Sequence, residues 1–324
     1  MKPEVSIVIV NFNTRRMLKN CLESIYKQTD RTSVEIIVVD NDSNDGSSQM
    51  VRDEFADVKL IANRTNAGFA RANDQGFEIS TAPYVLMLNS DTIVEDRAIE
   101  KTIAFADKHA DAAAVGCKML YGDRSFQNSC FRFPSPLGIL LNCLYLSQTF
   151  KNNYILNWDR YGCRDWPTFR QVDCVMGSFI LLRREALEQV GSLDTDYFVY
   201  GEETDLCYRL KKAGWKVLYY PDTHIIHFQG GSQKDSRDLS WSYAATRRAN
   251  LLFLTKWRHP AVSYICNAMM AVFSLPRVLA WAFMDVIGKF KMTRKHHLRK
   301  AASIYFHFRA LFRPTMLGQR WDKI

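Results

Sequence analysis

The eight cysteines, Cys21, Cys117, Cys130, Cys143, Cys163, Cys174, Cys207 and Cys266, include no C-x-x-C pair and no tight Cys/His spacing, which argues against a zinc site or a disulfide framework. No G-x-G-x-x-G follows a strand-like run, and no G-x-x-x-x-G-K-[ST] occurs anywhere, so a dinucleotide dehydrogenase and a P-loop enzyme are both disfavoured. Any phosphate must be held by other means. The apolar run at the start, Val5 to Val10, is too short for a leader's hydrophobic region and ends in Asn11; the expectation is a cytoplasmic protein. The longest apolar stretch, Ala261 to Gly288, is interrupted by Pro276-Arg277 into pieces of about 15 and 11 residues, each below the roughly 20 needed to span a bilayer.

What is present is ordinary globular material: 324 residues, 47% hydrophobic and 24% charged, enough for one large domain and an appendage. The net charge of +9 is unevenly placed. From Arg247 onward 15 Lys and Arg face two acids, Asp285 and Asp322, whereas the preceding residues hold 28 basic and 32 acidic side chains. A nucleic-acid partner is therefore not expected. Lys256 and Arg258 precede the apolar stretch, and Lys289, Lys291, Arg294, Lys295, Arg299 and Lys300 follow it. That arrangement suits an interfacial hairpin on an anionic membrane, with a core helix or a subunit interface as the alternative.

Short β-branched runs alternate with helical patterns: Val5 to Val10 then Leu18 to Tyr26, Val34 to Val39 then Ser47 to Phe55, Val58 to Ile61 then Gly68 to Ile79, Tyr84 to Leu88 then Ile99 to His109. The rhythm predicts a largely parallel sheet covered on both faces by helices. In such sheets ligands bind beyond the carboxyl ends of the strands. Those ends read Asn11-Phe12-Asn13, Asp40-Asn41-Asp42-Ser43, Asn63 to Gly68, and Asn89-Ser90-Asp91-Thr92. Each loop alone is accounted for by turn and cap chemistry; four together point at one crevice.

The stretch from Tyr121 to Gln171 shows no clear period. Val172 to Arg183 then reads as a strand, Arg184 to Val190 and Glu203 to Ala213 as helices, and Trp215 to Tyr220 as a last strand with His224 and His227 just past it. Asp91 follows a buried strand with Asn89 two residues before it, so that one or both side chains can reach a single hard divalent cation. Glu202, Glu203 and Asp205 crowd three carboxylates into a helix start, which charge complementarity to the helix terminus would also explain.

The ordered segments VSIVIVNFN at 5 to 13, VVDNDSNDGS at 38 to 47, NAGFARANDQG at 66 to 76, LMLNSDT at 86 to 92, FVYGEETDLCYRLKKAGW at 198 to 215 and HFQGGS at 227 to 232 resemble the family 2 glycosyltransferases, rhamnosyltransferase-like branch. The resemblance covers roughly residues 4 to 257. It implies a GT-A nucleotide-diphospho-sugar fold, Rossmann-like with a mostly parallel central sheet and flanking helices. The catalytic domain would be 1–257, its nucleotide-binding part about 1–118 and its acceptor-side part about 119–257. Residues 258–324 would form a helical, membrane-associating tail.

The resemblance also assigns roles. Asn11, Phe12, Asn13, Asp40, Asp42, Asn66, Gly68, Asn89 and Asp91 would bind the donor, with Asp40 and the 11–13 segment around the base and ribose. Asp91 and His227 would hold Mg2+ or Mn2+, and Met176, Gly177, Ser178 and Asp194 would lie on the acceptor side. The general base of an inverting displacement falls on Glu203, with Asp205 and Glu202 as alternatives, because the family has Asp at that position. Asp74, where Asn is usual, and Ser90, where Pro is frequent, are further departures. The implied partners are a nucleotide-diphospho-sugar, with dTDP-rhamnose the leading donor and UDP- or GDP-sugars the alternatives, a lipid-linked saccharide acceptor, and the inner face of the plasma membrane. The product would be a surface polysaccharide. A nucleotide-sugar-binding scaffold without turnover is the competing class.

Overall fold

The computed structural model describes residues 2–29, 34–228 and 236–286. It divides into two compact units, one of Met1–Phe133 with Cys163–Ser232 and one of Pro134–Gly162 with Gln233–Ile324. The boundary expected after Trp257 thus falls inside the second unit.

In the first unit the chain runs β1 (Val5–Asn11), α1 (Arg15–Gln28), β2 (Val34–Asn41), α2 (Ser47–Glu54), β3 (Lys59–Asn63), α3 (Phe69–Ile79), β4 (Tyr84–Asn89), β5 (Thr92–Val94), α4 (Ala98–Lys108), β6 (Ala112–Leu120), β7 (Phe126–Gln127) and β8 (Cys130–Phe131). The second unit contributes α5 (Pro136–Cys143) and α6 (Leu146–Thr149). The first unit resumes with β9 (Arg170–Gln171), β10 (Cys174–Val175), β11 (Phe179–Arg183), α7 (Arg184–Val190), α8 (Glu202–Lys212) and β12 (Lys216–His227). Two helices of the second unit, α9 (Ser236–Trp257) and α10 (Pro260–Val286), complete the described chain.

The main sheet has the order β3-β2-β1-β4-β11-β6-β12-β5, with β7 beside β6 and β9 beside β12. Pairing is parallel from β3 through β4 and between β6 and β12; β11 and β5 run antiparallel to their neighbours. Val5, Ile7, Ile9 and Val38, Leu86 and Leu88 face one side among Leu18, Leu22, Ile25, Ile99 and Phe179. Both faces of β1 and β4 are buried, which is why their sequences are apolar without alternation.

Two departures from the sequence reading bear on the site. The run from Val172 to Arg183 is two strands, β10 and β11, separated by the turn Met176–Ser178. The last strand does not stop at Tyr220 but continues through His227, so His224 and His227 lie inside it. Its register on β6 shifts between Tyr220 and His224, the irregularity that lets Pro221 sit within a strand without breaking the ladder.

In the second unit Ile139 and Cys143 of α5 pack with Leu251 and Leu254 of α9 and Cys266 and Met270 of α10. The N-terminus of α5 is closed by Ser135, whose hydroxyl accepts the Gly138 N–H at 3.2 Å, with Pro136 in the first turn. The hairpin expected from Pro276-Arg277 is corrected: α10 is helical through both residues. A proline removes one backbone hydrogen bond and bends a helix without having to end it. No helix among the described residues is long and apolar enough to cross a membrane. The basic cluster from Lys289 to Lys300 lies outside the described residues, as does the 229–232 part of the HFQGGS segment.

Helix α3 approaches β1 so closely that a Cβ on Gly76 would lie 2.3 Å from Val8 Cγ1. Gly76→Ala is expected to lower unfolding stability by about 1–3 kcal/mol through overpacking, read from the denaturant midpoint, while an exposed change such as Glu78→Ala shifts it little.

Candidate functional site

The strand ends meet in one hydrogen-bonded network. Asn11, fully buried at the end of β1, donates through Nδ2 to Asp40 Oδ1 at 2.7 Å and to Ser43 Oγ at 3.1 Å, and its Oδ1 accepts from Thr14 Oγ1 at 2.6 Å. Thr14 lies 2.9 Å from the hydroxyl of Ser90, which joins the β1 loop to the end of β4. Asp40 Oδ2 accepts from Ser48 Oγ at 2.7 Å and the Ser43 N–H at 3.3 Å. Both Asp40 oxygens are thus engaged within the protein. Phe12 and Asp42 are exposed, whereas Asn13 turns back at φ +54° and accepts the Asn44 N–H at 2.9 Å.

Asn41 links the next loop: its Nδ2 donates to Asn66 Oδ1 at 2.8 Å and its Oδ1 accepts the Ala67 N–H at 2.9 Å. The close approach that Gly68 permits is to another loop of the protein. At φ +86°, a Cβ there would lie 2.6 Å from Phe198 Cδ2 and 2.7 Å from its carbonyl oxygen, and the Phe69 N–H donates to that oxygen at 2.7 Å. Asp74 fastens the same loop from further along α3, accepting from the Ser192 hydroxyl and from the Leu193 N–H at 3.0 Å. Burial pushes the Asp74 carboxyl up.

That loop delivers α8, whose first turn carries the three carboxylates, and the structure tells them apart. Asp205 is fully buried and bound at 2.7 Å to Arg209, which also donates to the carbonyls of Val190, Gly191 and Ser192. These contacts hold the helix on the loop. Glu202 is 3% exposed and its Oε2 makes no hydrogen bond. Glu203 alone is partly exposed, its Oε2 accepting the Gly201 N–H at 3.1 Å. Burial raises both carboxyls, Glu202 well above the usual carboxylate range with the neighbouring Glu203 charge adding to it. Two such groups cannot both ionise cheaply, and the backbone donor on Glu203 places the charge there and the proton on Glu202.

The turn Met176–Ser178 separates these acids from β4. A Cβ on Gly177 would stand 3.7 Å from Glu203 Cβ and Cδ, so this glycine lies against the Glu203 side chain. Ser178 accepts the Asn89 N–H at 3.1 Å on its carbonyl, while its hydroxyl is turned inward to Met119 Sδ at 3.3 Å. Met176 packs on the core. Of the four residues expected on the acceptor side, Gly177 lies against the Glu203 side chain. Asp194 is half-buried and accepts the Asp196 N–H at 3.0 Å.

Past β4, Asp91 is 8% and His227 5% exposed, and Asp91 Oδ1 lies 3.3 Å from His227 Nε2. The pair is built by strands: His227 stands opposite Thr92 in the β12–β5 ladder, and the Phe228 N–H donates to the Asp91 carbonyl at 3.0 Å. His227 Nδ1 is 3.2 Å from Gln127 Oε1. The residues fit a divalent cation. Two cis ligands about 2.1 Å from one ion stand roughly 3.0 Å apart, close to the observed separation. Asn89 Oδ1 nearby in sequence is buried without a hydrogen bond. No cluster of three His, Cys, Asp or Glu that could hold a metal ion occurs among the described residues. His224 is engaged elsewhere, 3.2 Å from Glu95.

The family model described as "Glycosyl transferase family 2" matches residues 6–191, more than half of the chain. The chain belongs to this family. A second model, "Glycosyl transferase family group 2", matches residues 145–291. Among curated proteins, this family 2 glycosyltransferase is similar to the N-acetylglucosaminyl-diphospho-decaprenol L-rhamnosyltransferase of Mycobacterium tuberculosis, 27% identical over 80% of this chain and 88% of that one. Glycosyltransferase GlyG of Streptococcus pneumoniae is 32% identical over 92% of this chain and 91% of its own length. Rhamnosyltransferase WbbL of Escherichia coli is 25% identical over 75% and 91%. Among solved structures, the mannosyltransferase PcManGT of Pyrobaculum calidifontis, in complex with GDP-Man and Mn2+, aligns with a TM-score of 0.55 at 17% identity, covering 100% of this chain and 89% of that one. The fold is therefore GT-A, and the family transfers sugars from nucleotide donors.

Thr14 and Gln127 were not singled out in the sequence. Thr14 lies one residue beyond the Asn11–Asn13 motif, and Gln127 falls in the stretch without a period. Breaking the buried Asp205–Arg209 contact leaves uncompensated charge, so Asp205→Ala is expected to cost about 3–5 kcal/mol in denaturant unfolding. An unchanged midpoint would overturn that role for Asp205.

Proposed function

We propose that this family 2 glycosyltransferase is an inverting, divalent-metal-dependent rhamnosyltransferase that takes the sugar from dTDP-rhamnose to a lipid-linked saccharide during surface polysaccharide assembly. The observation that carries the reading is the placement of Glu203, the one partly exposed carboxylate of its cluster, against the Met176–Ser178 turn whose other end binds Asn89, two residues before Asp91. Similarity to two rhamnosyltransferases, one of them named for a diphospho-decaprenol acceptor, supports the sugar and the lipid-linked acceptor.

In this reading the exposed Phe12 and Asp42, with Asn13, face the base and ribose, while Asn11 and Asp40 hold their loop rigid. Asn66 and Gly68 keep the neighbouring loop against the segment that leads to Glu203. Asp91 and His227, with Asn89, would hold Mg2+ or Mn2+. Such an ion supplies neutralisation of the charge that develops on a diphosphate leaving group. Glu203 takes the proton from the acceptor hydroxyl as that oxygen attacks the anomeric carbon from the face opposite the leaving group. Glu202 stays neutral beside it and keeps water from the base. Gly177 leaves the Glu203 carboxylate room, and Asp194 lies upstream on the acceptor side.

The membrane reading is carried by the second unit, where Leu137, Phe150, Ile155, Ile265 and Val272 are exposed and the sequence beyond is basic. Peripheral binding to the inner face of the plasma membrane is the corresponding location.

The testing experiment is release of nucleoside diphosphate from dTDP-, UDP- and GDP-sugars with Mg2+ or Mn2+ and a lipid-linked acceptor. Turnover with dTDP-rhamnose is expected; nucleotide binding without metal-stimulated release across the panel would favour the non-catalytic scaffold. Asp91→Ala is expected to lower transfer about 100- to 1,000-fold and to abolish the metal dependence of donor binding. Near-normal turnover there sinks the cation assignment.

Glu203→Gln is expected to stop transfer with donor affinity nearly unchanged, measured by separate binding and turnover assays. Because burial holds Glu203 above an ordinary glutamate's 4.5, and only its ionised form accepts a proton, the rate should fall on acidification at a pH above that value. An acid limb at or below 4.5 would exclude Glu203 as the base.

A further inference from the structure

We propose that Gln127 is a positioning residue that fixes the ring of His227 so that its Nε2 lone pair, and not a proton, faces Asp91. The inference rests on the reading of Asp91 and His227 as cation ligands and adds the residue that makes His227 fit for that work.

The imidazole of His227 lies between two acceptors, Gln127 Oε1 at 3.2 Å from Nδ1 and Asp91 Oδ1 at 3.3 Å from Nε2. A neutral ring has one proton to give. With a cation on Nε2 the ring is neutral and that proton is on Nδ1, where the amide oxygen of Gln127 accepts it. Gln127 thereby holds the ring with its Nε2 lone pair toward the cation and Asp91, in a site where both His227 and Asp91 are more than nine-tenths buried. Without Gln127 the carboxylate would draw the proton to Nε2 and block the position.

The placement of Gln127 is built into the backbone. It is 1% exposed on β7, opposite Met119 of β6. The hairpin that joins β6 to β7 abuts the residue after His227: a Cβ on Gly122 would lie 2.9 Å from Phe228 Cε1. Phe228 in turn donates its N–H to the Asp91 carbonyl. The orienting amide, the imidazole and the carboxylate are therefore carried on strands that are fastened to one another.

The test is Mn2+ affinity of the full chain by electron paramagnetic resonance, with dTDP, UDP or GDP present at saturation. Gln127→Leu is expected to weaken Mn2+ binding about 10- to 100-fold, the usual cost of losing such an outer partner. Gln127→Glu, which still accepts from Nδ1, should stay within a few-fold of wild type. Unaltered affinity in Gln127→Leu overturns the proposal, and so does a Gln127→Glu as weak as Gln127→Leu, which would mark a packing role. If Gln127→Leu fails to fold, the wild-type protein decides: in 15N-resolved spectra with Mg2+ and dTDP, the His227 ring proton is expected on Nδ1 alone, and a proton on Nε2 overturns the inference. Wild type that binds no Mn2+ with any of the three nucleotides fails at the cation reading itself.

Discussion

The pairing of β12 with β5 is the constraint on which the site depends. Strand β4 ends at Asn89 in the middle of the sheet, yet β5 starts at Thr92 and belongs to its far edge, next to β12. The chain can make that step only by leaving the sheet at Ser90-Asp91. The ladder Ile225↔Val94, Ile226↔Ile93 and His227↔Thr92 then fixes the departing segment by backbone hydrogen bonds, which side-chain substitutions leave in place. A buried carboxylate and a buried imidazole are brought together as a by-product of strand register, and the chemistry of the family 2 site is set by main-chain geometry before any side chain contributes.

A second layer of constraint comes from buried acids that join one segment to another. Asp40, Asp74 and Asp205 are all buried, and each has its oxygens occupied by hydroxyls, backbone N–H groups or a guanidinium. These contacts tie loops to helices at the carboxyl edge of the sheet, where backbone groups would otherwise lack partners. Glu203 differs from them by being partly open, with the Gly201 N–H on its Oε2. Within one crowded acidic segment, exposure separates Glu203 from its buried neighbours Glu202 and Asp205.

Much of this was legible in the sequence because its cause is local. Apolar runs buried on both faces announce β1, β2 and β4, and the polar residues following them do converge. The start of α8 was readable from Gly201 and the acids after it. What was not legible depends on partners distant in the chain. Pro221-Asp222 reads as the end of a strand, and only pairing with both β6 and β5 carries β12 through a bulge to His227. Gly177 divides a run that looks continuous. Asp205 and Glu203 read alike in the sequence; the Arg209 fork that engages Asp205 depends on where the carbonyls of residues 190 to 192 come to lie. Gln127 has no local signature at all, since its meaning comes from the imidazole beside it.

The contact between Gly68 and Phe198 makes two distant stretches of the gene answer to one steric rule. A side chain at position 68 has nowhere to go unless the whole loop bearing Phe198 withdraws, because the backbone carbonyl of Phe198 stands in the way as well as its ring, and that loop leads within five residues to Glu203. Neither stretch is free to diverge alone. Across descendants of this sequence, glycine should persist at position 68 whichever side chain stands at 198, and recombination that shifts one of the two loops against the other should yield proteins in which the starts of α3 and α8 no longer share a seat.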